Sequence, residues 1–248
     1  MFNFFAEENS RSGEYYYISG SDFNHIKNVL RMKIGESLLV SDNGNSHLCK
    51  VESFNGDTAT VKIEQENYRS TELPIKIELY QGLPKGDKME LIIQKAVELG
   101  ASKITAVEMH RSVVKLDGKK KKSKRERWQA IAESAAKQSK RNIVPEIGEV
   151  ISYKQLMLQA KELDLFLIPY ENKDGMSATK SALSLIKKDM RVGIIIGPEG
   201  GFEEAEVDEA IQAGGKVISL GARILRAETA AITATAMCML QAEMSDEI

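Results

Sequence analysis

The chain has 248 residues, of which 42% are apolar and 28% charged, as in an ordinary folded protein with one large domain or two smaller ones. It has no run of about 18 apolar residues, and its N-terminus, MFNFFAEENS, lacks the basic region of a signal peptide, so we expect neither a membrane span nor secretion. The net charge of −2 argues against a general nucleic-acid binder. Cys49 and Cys238 are predicted to be buried, reduced thiols, which indicates a reducing, cytoplasmic compartment.

The first 70 residues are predicted to form a small β-barrel with one helix. Short apolar runs alternate there with turn residues, such as Asp-Asn-Gly-Asn at 42–45. The predicted strands are residues 15–18, 37–41, 47–54 and 58–63. Between the first two strands, residues 22–32 have apolar side chains at helical spacing.

A polar segment at residues 68–74 is the predicted linker, and strands alternate with helices after it. The predicted strands are 75–83, 104–109, 163–168, 192–196 and 216–220, and the predicted helices are 87–99, 125–139 and 230–244. Asp87 and Glu90 have the spacing of a capping box at the start of the first of these helices. The alternation predicts an α/β domain with a mostly parallel sheet, so the expected domains are residues 1–70 and 74–248.

Charge is unevenly distributed along the chain. Residues 110–142 contain twelve basic and three acidic residues, a net charge of +9 in a chain whose total is −2. This asymmetry predicts one surface that faces a polyanion on an otherwise acidic protein. For the lysine run at 119–122 alone, a solvated loop is an equally good interpretation.

Three predicted strand ends carry unusual residues at the sheet edge where α/β proteins bind their ligands. They are residues 167–171, 196–202 and 220–230. Glycines in the second and third of these loops allow the backbone to approach a ligand or to adopt positive φ. The loops match no dinucleotide-binding glycine motif, no P-loop and no serine nucleophile elbow, and the chain shows no metal-ligand spacing.

Simpler interpretations of the same residues stay open at this point. Residues 197–201 also fit a tight turn from a strand into a helix, and Arg223, Arg226 and Glu228 also fit a surface ion pair. The three histidines, His25, His47 and His110, are far apart in sequence, and such residues are more often structural than ligands.

The second and third loops resemble a known family. Residues 196–202, IGPEGGF, and residues 220–230, LGARILRAETA, look like the signature of the 16S rRNA (uracil-N3) methyltransferases, the RsmE family of the SPOUT superfamily. Further similarity extends through most of the chain, at residues 25–31, 85–90, 94–100, 111–115 and 138–145. The chain departs from many relatives in lacking an arginine before the N-terminal aromatic residues, and in having Ala227 where threonine is common.

The resemblance implies a PUA-like β-barrel for RNA contact, followed by a SPOUT domain whose last segment forms a trefoil knot. It also implies a homodimer with active sites at the subunit interface, S-adenosylmethionine as cofactor and no metal. The implied reaction is methylation of N3 of a uridine in 16S ribosomal RNA, near the decoding site of the small subunit. Two rivals remain: a SPOUT enzyme that acts on ribose or on tRNA guanine, and a ribosome-assembly factor without catalysis.

Roles for residues of this chain follow, from the resemblance for the cofactor pocket and from chemistry and charge for the rest. The cofactor-binding residues would be Ile168, Pro169, Ile196, Gly197, Gly200, Leu220, Gly221, Ile224 and Leu225. Arg226 is expected to stabilise charge on the uracil, and Glu199 and Glu228 are expected to act as base or to orient Arg226. The predicted RNA contacts are Arg31, Lys33, Arg111, Lys119, Lys120, Lys121, Lys122 and Arg125.

Overall fold

The computed structural model describes residues 1–7, 9–170 and 175–246 of the chain. Its internal contacts divide it into two compact units, one of residues 1–72 with 136–144, the other of residues 73–135 with 145–248. The predicted domains, residues 1–70 and 74–248, were defined by function as well as by fold. Contacts alone do not test that definition, so these boundaries stay a prediction.

The first unit contains a six-stranded, mainly antiparallel sheet. Its strands are β1 (Asn3–Phe5), β2 (Arg11–Ser12), β3 (Tyr15–Ile18), β4 (Ser37–Asp42), β5 (Asn45–Asn55) and β6 (Thr58–Gln65), in the order β1-β4-β5-β6-β3-β2. The predicted helix between β3 and β4 is present as an α-helical turn, α1 (Gly20–Asn24), followed by a π-helical turn (His25–Val29). Phe23 and Ile26 of these turns are buried in the core of the unit.

The predicted linker is held to the first unit by a buried ion pair. The Glu72 carboxylate accepts hydrogen bonds from the Arg141 guanidinium and, at 2.8 Å, from the backbone N–H of Asn142. Arg141 is only 4% exposed, so its charge requires this partner. Of the twelve cations in the basic segment, Arg141 is therefore one that does not reach solvent.

The second unit is built on a seven-stranded sheet in which every pairing of the described residues is parallel. Its strands are β7 (Lys76–Gly82), β8 (Ala101–Glu108), β9 (Glu146–Ile147), β10 (Ile151–Ser152), β11 (Leu165–Pro169), β12 (Arg191–Ile196) and β13 (Lys216–Ile218). The order is β10-β8-β7-β12-β11-β13, with β9 also paired to β8. The predicted α/β fold with a mostly parallel sheet is confirmed, and β11 and β12 are buried apolar runs as their composition indicated.

Within the described residues, six helices accompany this sheet: α2 (Lys88–Glu98), α3 (Gly118–Ser139), α4 (Tyr153–Ala160), α5 (Gly175–Leu183), α6 (Glu204–Gln212) and α7 (Ala227–Asp246). The sequence predicted α2, α3 and α7 but not the three short helices between them. The capping box expected at Asp87 is wrong: φ is −95° and ψ is 9°, and the side chain makes no cap hydrogen bond. Asp87 instead accepts a bond from Glu90 N–H through its backbone carbonyl.

Helix α3 begins seven residues before the position that the sequence predicted. Asp117 starts it, because its carboxylate accepts a hydrogen bond of 2.9 Å from Lys120 N–H, which also lowers the pKa of Asp117. The lysine run at 119–122 thus lies in the first turns of a helix rather than in a loop.

The thiols are as expected. Cys49 and Cys238 are free and buried, and burial raises the pKa of each to about 12. In the part of the chain that the structure describes, no helix combines the length and apolar character that a membrane crossing requires.

Candidate active site

The carboxyl ends of three strands lie together at one edge of the second sheet. Strands β12, β11 and β13 are parallel neighbours, with Leu167 opposite both Ile194 and Lys216. Their carboxyl ends therefore come together, and the backbone N–H of Tyr170 donates a 3.0 Å hydrogen bond to the carbonyl of Ile218. Pro169, which ends β11, thus lies beside the loop that follows β13.

A cleft of about 550 Å³ opens at this edge. It is lined by Pro169, Tyr170, Gly175, Met176, Ser219, Leu220, Gly221, Ala222, Arg223, Ile224, Leu225 and Ala230. Five of the nine predicted cofactor-binding residues are in this lining. Ile224 is 92% exposed, which leaves an apolar side chain uncovered in a cleft large enough for a small ligand.

The other four predicted cofactor-binding residues lie behind or next to the cleft. Ile168 and Ile196 are buried in the sheet. Gly197 and Gly200 are in the loop after β12, which connects to the cleft because the ring of Phe202 packs edge to face on Tyr170, with centroids 6.2 Å apart.

The loop after β12 has a compact backbone that depends on its glycines. A Cβ at Gly197 would lie 3.2 Å from Phe202, and a Cβ at Gly200 would lie 2.9 Å from the Cβ of Arg111. The Gly197 carbonyl accepts a 3.3 Å bond from Nε2 of Gln81, a fully buried side chain at the end of β7. The loop is a tight turn, as the simpler interpretation stated, and Gly201 N–H donates a 2.8 Å bond to the carbonyl of Pro198.

The loop after β13 is fixed by a residue that the sequence did not single out. Thr179, on α5, donates a 2.8 Å hydrogen bond from Oγ1 to the carbonyl of Ser219 and accepts a 2.9 Å bond from Ser219 N–H. The Thr179 side chain is fully buried. Gly221 follows with φ of +104°, a conformation that favours glycine. No sequence signal marked Thr179, because α5 itself was not predicted.

Two candidate carboxylates share one lysine. Lys88, at the start of α2, places Nζ 2.8 Å from Oε1 of Glu199 and 3.8 Å from Oε2 of Glu228. Glu199 also accepts a 3.0 Å bond from Lys85 N–H. Burial raises the pKa of Glu199, but the hydrogen bonds from Lys88 and Lys85 outweigh it, so the pKa is lowered. Lys88 was also missed, although it lies in a segment that resembles the family.

Arg226 is exposed just before helix α7, and its carbonyl accepts the first bond of that helix, 2.8 Å from Ala230 N–H. Among the residues that the structure describes, its guanidinium has no hydrogen-bond or ion-pair partner. Glu228 is within ion-pair distance of Lys88. The surface ion pair of Glu228 with the two arginines, considered from the sequence, is absent from the described ranges.

The predicted RNA contacts of the basic segment differ in how free they are. Lys121 is bound to Glu108 at 2.8 Å, and Arg125 donates to the carbonyl of Ile147 at 2.9 Å. Lys120 is 3.3 Å from Asp117. By contrast, Lys119 and Lys122 are exposed and have no such partner within residues 1–7, 9–170 and 175–246.

The remaining predicted RNA contacts lie elsewhere. Arg111 donates a 3.2 Å bond to the carbonyl of Gly200, so it supports the loop after β12. Arg31 and Lys33 are exposed on the first unit, where Arg31 has φ of +54°. The described residues contain no group of three or more His, Cys, Asp and Glu side chains placed to hold a metal ion.

Comparison with known proteins gives consistent results. The family model of an RNA methyltransferase domain matches residues 71–239, and that of an RNA methyltransferase PUA domain matches residues 18–64. The chain is 41% identical over 233 residues to the ribosomal RNA small subunit methyltransferase E of Bacillus subtilis, covering 92% of this chain and 91% of the relative. A crystal structure of the enzyme of that name from Neisseria gonorrhoeae, bound to S-adenosyl methionine, matches with a TM-score of 0.81 and 31% identity over 95% of each chain.

Proposed function

Since the chain belongs to the ribosomal RNA small subunit methyltransferase E family, we propose that it methylates N3 of a uridine in 16S ribosomal RNA near the decoding site of the small subunit. It is an S-adenosylmethionine-dependent ribosomal RNA methyltransferase, with a PUA-like domain followed by the methyltransferase domain. The position of the target uridine and the trefoil knot are inferences from the family resemblance. The observation that supports the proposal is the cleft at the carboxyl ends of β11 and β13, which the loop after β12 adjoins through the contact of Phe202 with Tyr170.

The cleft suits S-adenosylmethionine. Leu220, Ile224, Leu225 and Pro169 supply apolar walls, and Gly221 supplies a backbone without a side chain. Such a combination of apolar walls and a few backbone polar groups is typical of sites for small ligands. Gly197 and Gly200, in the adjoining loop, are assigned to the same site, with Ile168 and Ile196 behind it as support.

The chemistry requires help at the acceptor atom. N3 of uracil carries a proton and is a poor nucleophile until that proton leaves. Arg226, whose guanidinium is free of partners in the described ranges, stabilises the negative charge that spreads onto O2 or O4 as the proton leaves, and Glu228 or Glu199 takes the proton. When bound, S-adenosylmethionine supplies a methyl group on a sulfonium: the N3–C bond forms, the C–S bond breaks, and its electron pair returns to sulfur.

The RNA is held by exposed cations. Lys119 and Lys122 on α3 contact phosphates, together with Lys120, Lys121 and Arg125 where these exchange their internal partners for RNA. Arg31 and Lys33 contribute from the PUA-like domain, and Arg111 acts at the loop that it supports. Phosphate contacts of this kind position the substrate without reading its sequence.

The chain works as a homodimer in the cytoplasm, where its ribosomal substrate is located. One face of α7 supports the dimer. Its Ala231, Ala234 and Cys238 are buried within the unit, whereas a stripe on the other side remains at least partly exposed. That stripe consists of Thr233, Ala236, Met237, Leu240 and Met244. A partly exposed apolar stripe on the helix that follows Arg226 supports a dimer contact on this face of α7.

Nucleoside mass spectrometry tests the proposal. Small-subunit RNA from a deletion strain is expected to lack 3-methyluridine, and the purified protein with S-adenosylmethionine is expected to restore it on small subunits from that strain. Loss of a ribose-methylated nucleoside or a tRNA guanine product instead would establish the rival enzyme class. A protein that binds no S-adenosylmethionine in calorimetry, with or without RNA, would be an assembly factor.

A further inference from the structure

We propose that Lys88 is a positioning residue that gives two carboxylates different roles. It keeps Glu199 as its hydrogen-bonded partner and leaves Glu228 available to accept the N3 proton of uracil. The inference rests on the proposed function and goes beyond it, because the family motifs make both carboxylates candidates for the same task. Lys88 belongs to α2, outside the loops that build the cleft.

The two contacts of Lys88 differ in kind. The distance of 2.8 Å to Oε1 of Glu199 is a charge-assisted hydrogen bond, whereas 3.8 Å to Oε2 of Glu228 is too long for a hydrogen bond but close enough for charge attraction. The side chains of Lys88 and Glu199 are 33% and 29% exposed, so water screens their attraction only in part.

Glu199 is poorly suited to accept a proton. It already accepts bonds from Lys88 Nζ and Lys85 N–H, and its pKa is lowered despite its burial. A carboxylate held in its ionised form in this way is a weaker base than an ordinary one. Its place is to fix Lys88 and, through Lys85 N–H, the loop between β7 and α2.

Glu228 is arranged differently. No described residue donates a hydrogen bond to its carboxylate, although Oε2 is buried and the side chain is only 16% exposed. A buried acceptor without a donor costs free energy, and a donor brought by the substrate removes that cost. Glu228 also belongs to the start of α7, two residues after Arg226 in the sequence.

Few other charges act on Glu228. The charged groups found near it are Lys88 from α2 and, on the same lysine, Glu199 from the loop after β12. The charged residues of the other packed elements are paired or exposed: Glu90 pairs with Arg127, Glu78 with Arg191, Lys95 with Glu98, and Lys180 is exposed.

Carbon-13 NMR of protein labelled at the glutamate carboxyl tests this without any activity. The resonances of Glu199 and Glu228 are assigned by their loss in E199Q and E228Q. In K88M, Glu228 keeps the neighbouring Glu199 charge and loses the cation, so its resonance is expected to titrate at higher pH than in the wild type. Adding E199Q to K88M removes the like charge and is expected to reverse part of the rise, and K88R is expected to titrate like the wild type.

The acidic limb of the pH–rate profile for single-turnover methyl transfer should follow the same carboxyl group. In K88M the limb should move to higher pH by as much as the Glu228 resonance does. E199Q should lower the rate of transfer less than E228Q does, because Lys88 then serves Glu228 alone. E228Q should lose transfer while still binding S-adenosylmethionine in calorimetry.

The outcomes are distinguishable. A Glu228 titration unchanged in K88M, or a rate lost in E199Q and kept in E228Q, overturns the role of Lys88 even if the wild type produces 3-methyluridine. If K88M does not fold, the E199Q and E228Q pair still decides. A wild type that makes no 3-methyluridine refutes the proposed function. The NMR titration then still measures how Lys88 affects each of the two carboxylates.

Discussion

Arg226 has an exposed guanidinium just before α7, two residues ahead in the sequence of the carboxylate that we assign to the proton. We expect Arg226→Ala to lower the rate of methyl transfer by about 10²–10³-fold, the usual effect of removing one preorganised charge partner. Because the side chain is exposed and without a partner in the described ranges, the melting temperature should stay as it is. Single-turnover transfer to small subunits measures the rate, and calorimetry measures cofactor binding.

Two further variants control that experiment. Lys216 is an exposed cation at the start of β13, away from the carboxyl ends of the strands, so Lys216→Ala should transfer at the wild-type rate. Arg226→Lys keeps the charge but loses the planar donors, so it should recover only part of the activity. Wild-type turnover in Arg226→Ala would remove this residue from the mechanism.

Thr179 is a residue whose effect should be on binding rather than on chemistry. Thr179→Val keeps the shape but removes both hydrogen bonds to Ser219, leaving its backbone N–H and carbonyl without them, at a cost of about 1–3 kcal/mol. The loop after β13 then loses its fixed place, and the Kd for S-adenosylmethionine should rise, with little change in the rate at saturation. Calorimetry checks this, with Thr179→Ser as the control that keeps the hydroxyl. Unchanged affinity in Thr179→Val would show that the loop is held by other contacts.

The residues of the site divide by the kind of signal that they leave in the sequence. Gly221 and Arg226 belong to a contiguous motif, so their chemistry and spacing are visible along the chain. Thr179 and Lys88 act through partners 40 or more residues away, and only the folded sheet brings them together. A threonine or a lysine by itself carries no such information, which is why both were missed.

Helix α3 carries a prediction at the scale of the element, since its lysines differ in their partners. The double variant K119A/K122A removes two exposed cations, so RNA binding should weaken. The plot of log K against log salt should become less steep, by about 0.7–0.9 for each lost phosphate contact. The Michaelis constant for the RNA substrate should rise more than turnover falls. Filter binding at several salt concentrations measures the slope.

Lys121→Ala is the matched control on the same helix. Lys121 is committed to Glu108 at 2.8 Å, so its loss should leave the salt slope closer to the wild-type value than the double variant does. A slope unchanged in K119A/K122A would contradict a phosphate-contact role for the start of α3.

The elements show how far periodicity reaches. Strands β11 and β12 were predicted because continuous apolar runs of five or six residues are typical of buried parallel strands. The helices α4, α5 and α6 are only eight or nine residues long, and so short a stretch carries little helical periodicity. The start of α3 was not predicted, because its first turns are lysines without apolar spacing and the start depends on the Asp117 cap.

At the scale of the molecule, the two compact units do not follow a single cut in the sequence. Residues 136–144 join the first unit because Arg141 needs the Glu72 carboxylate, while the rest of α3 belongs to the second. The change in composition near residue 70 does not show that residues 136–144 belong to the first unit, because Glu72 and the residues that bind it are about 70 positions apart in the sequence.

The last prediction concerns the dimer. On α7, Leu240 and Met244 are 49% and 59% exposed, and they continue the stripe that starts at Thr233. The wild type should sediment as a dimer, and L240E/M244E should sediment as a monomer, since an unpaired charge is costly to bury in an apolar contact. Ile211→Glu, at a 48% exposed position on α6, is the matched control and should remain dimeric. If the active site needs the second subunit, the monomeric variant should also lose methyl transfer. A wild type that is monomeric at every concentration would show that α7 does not form a dimer contact.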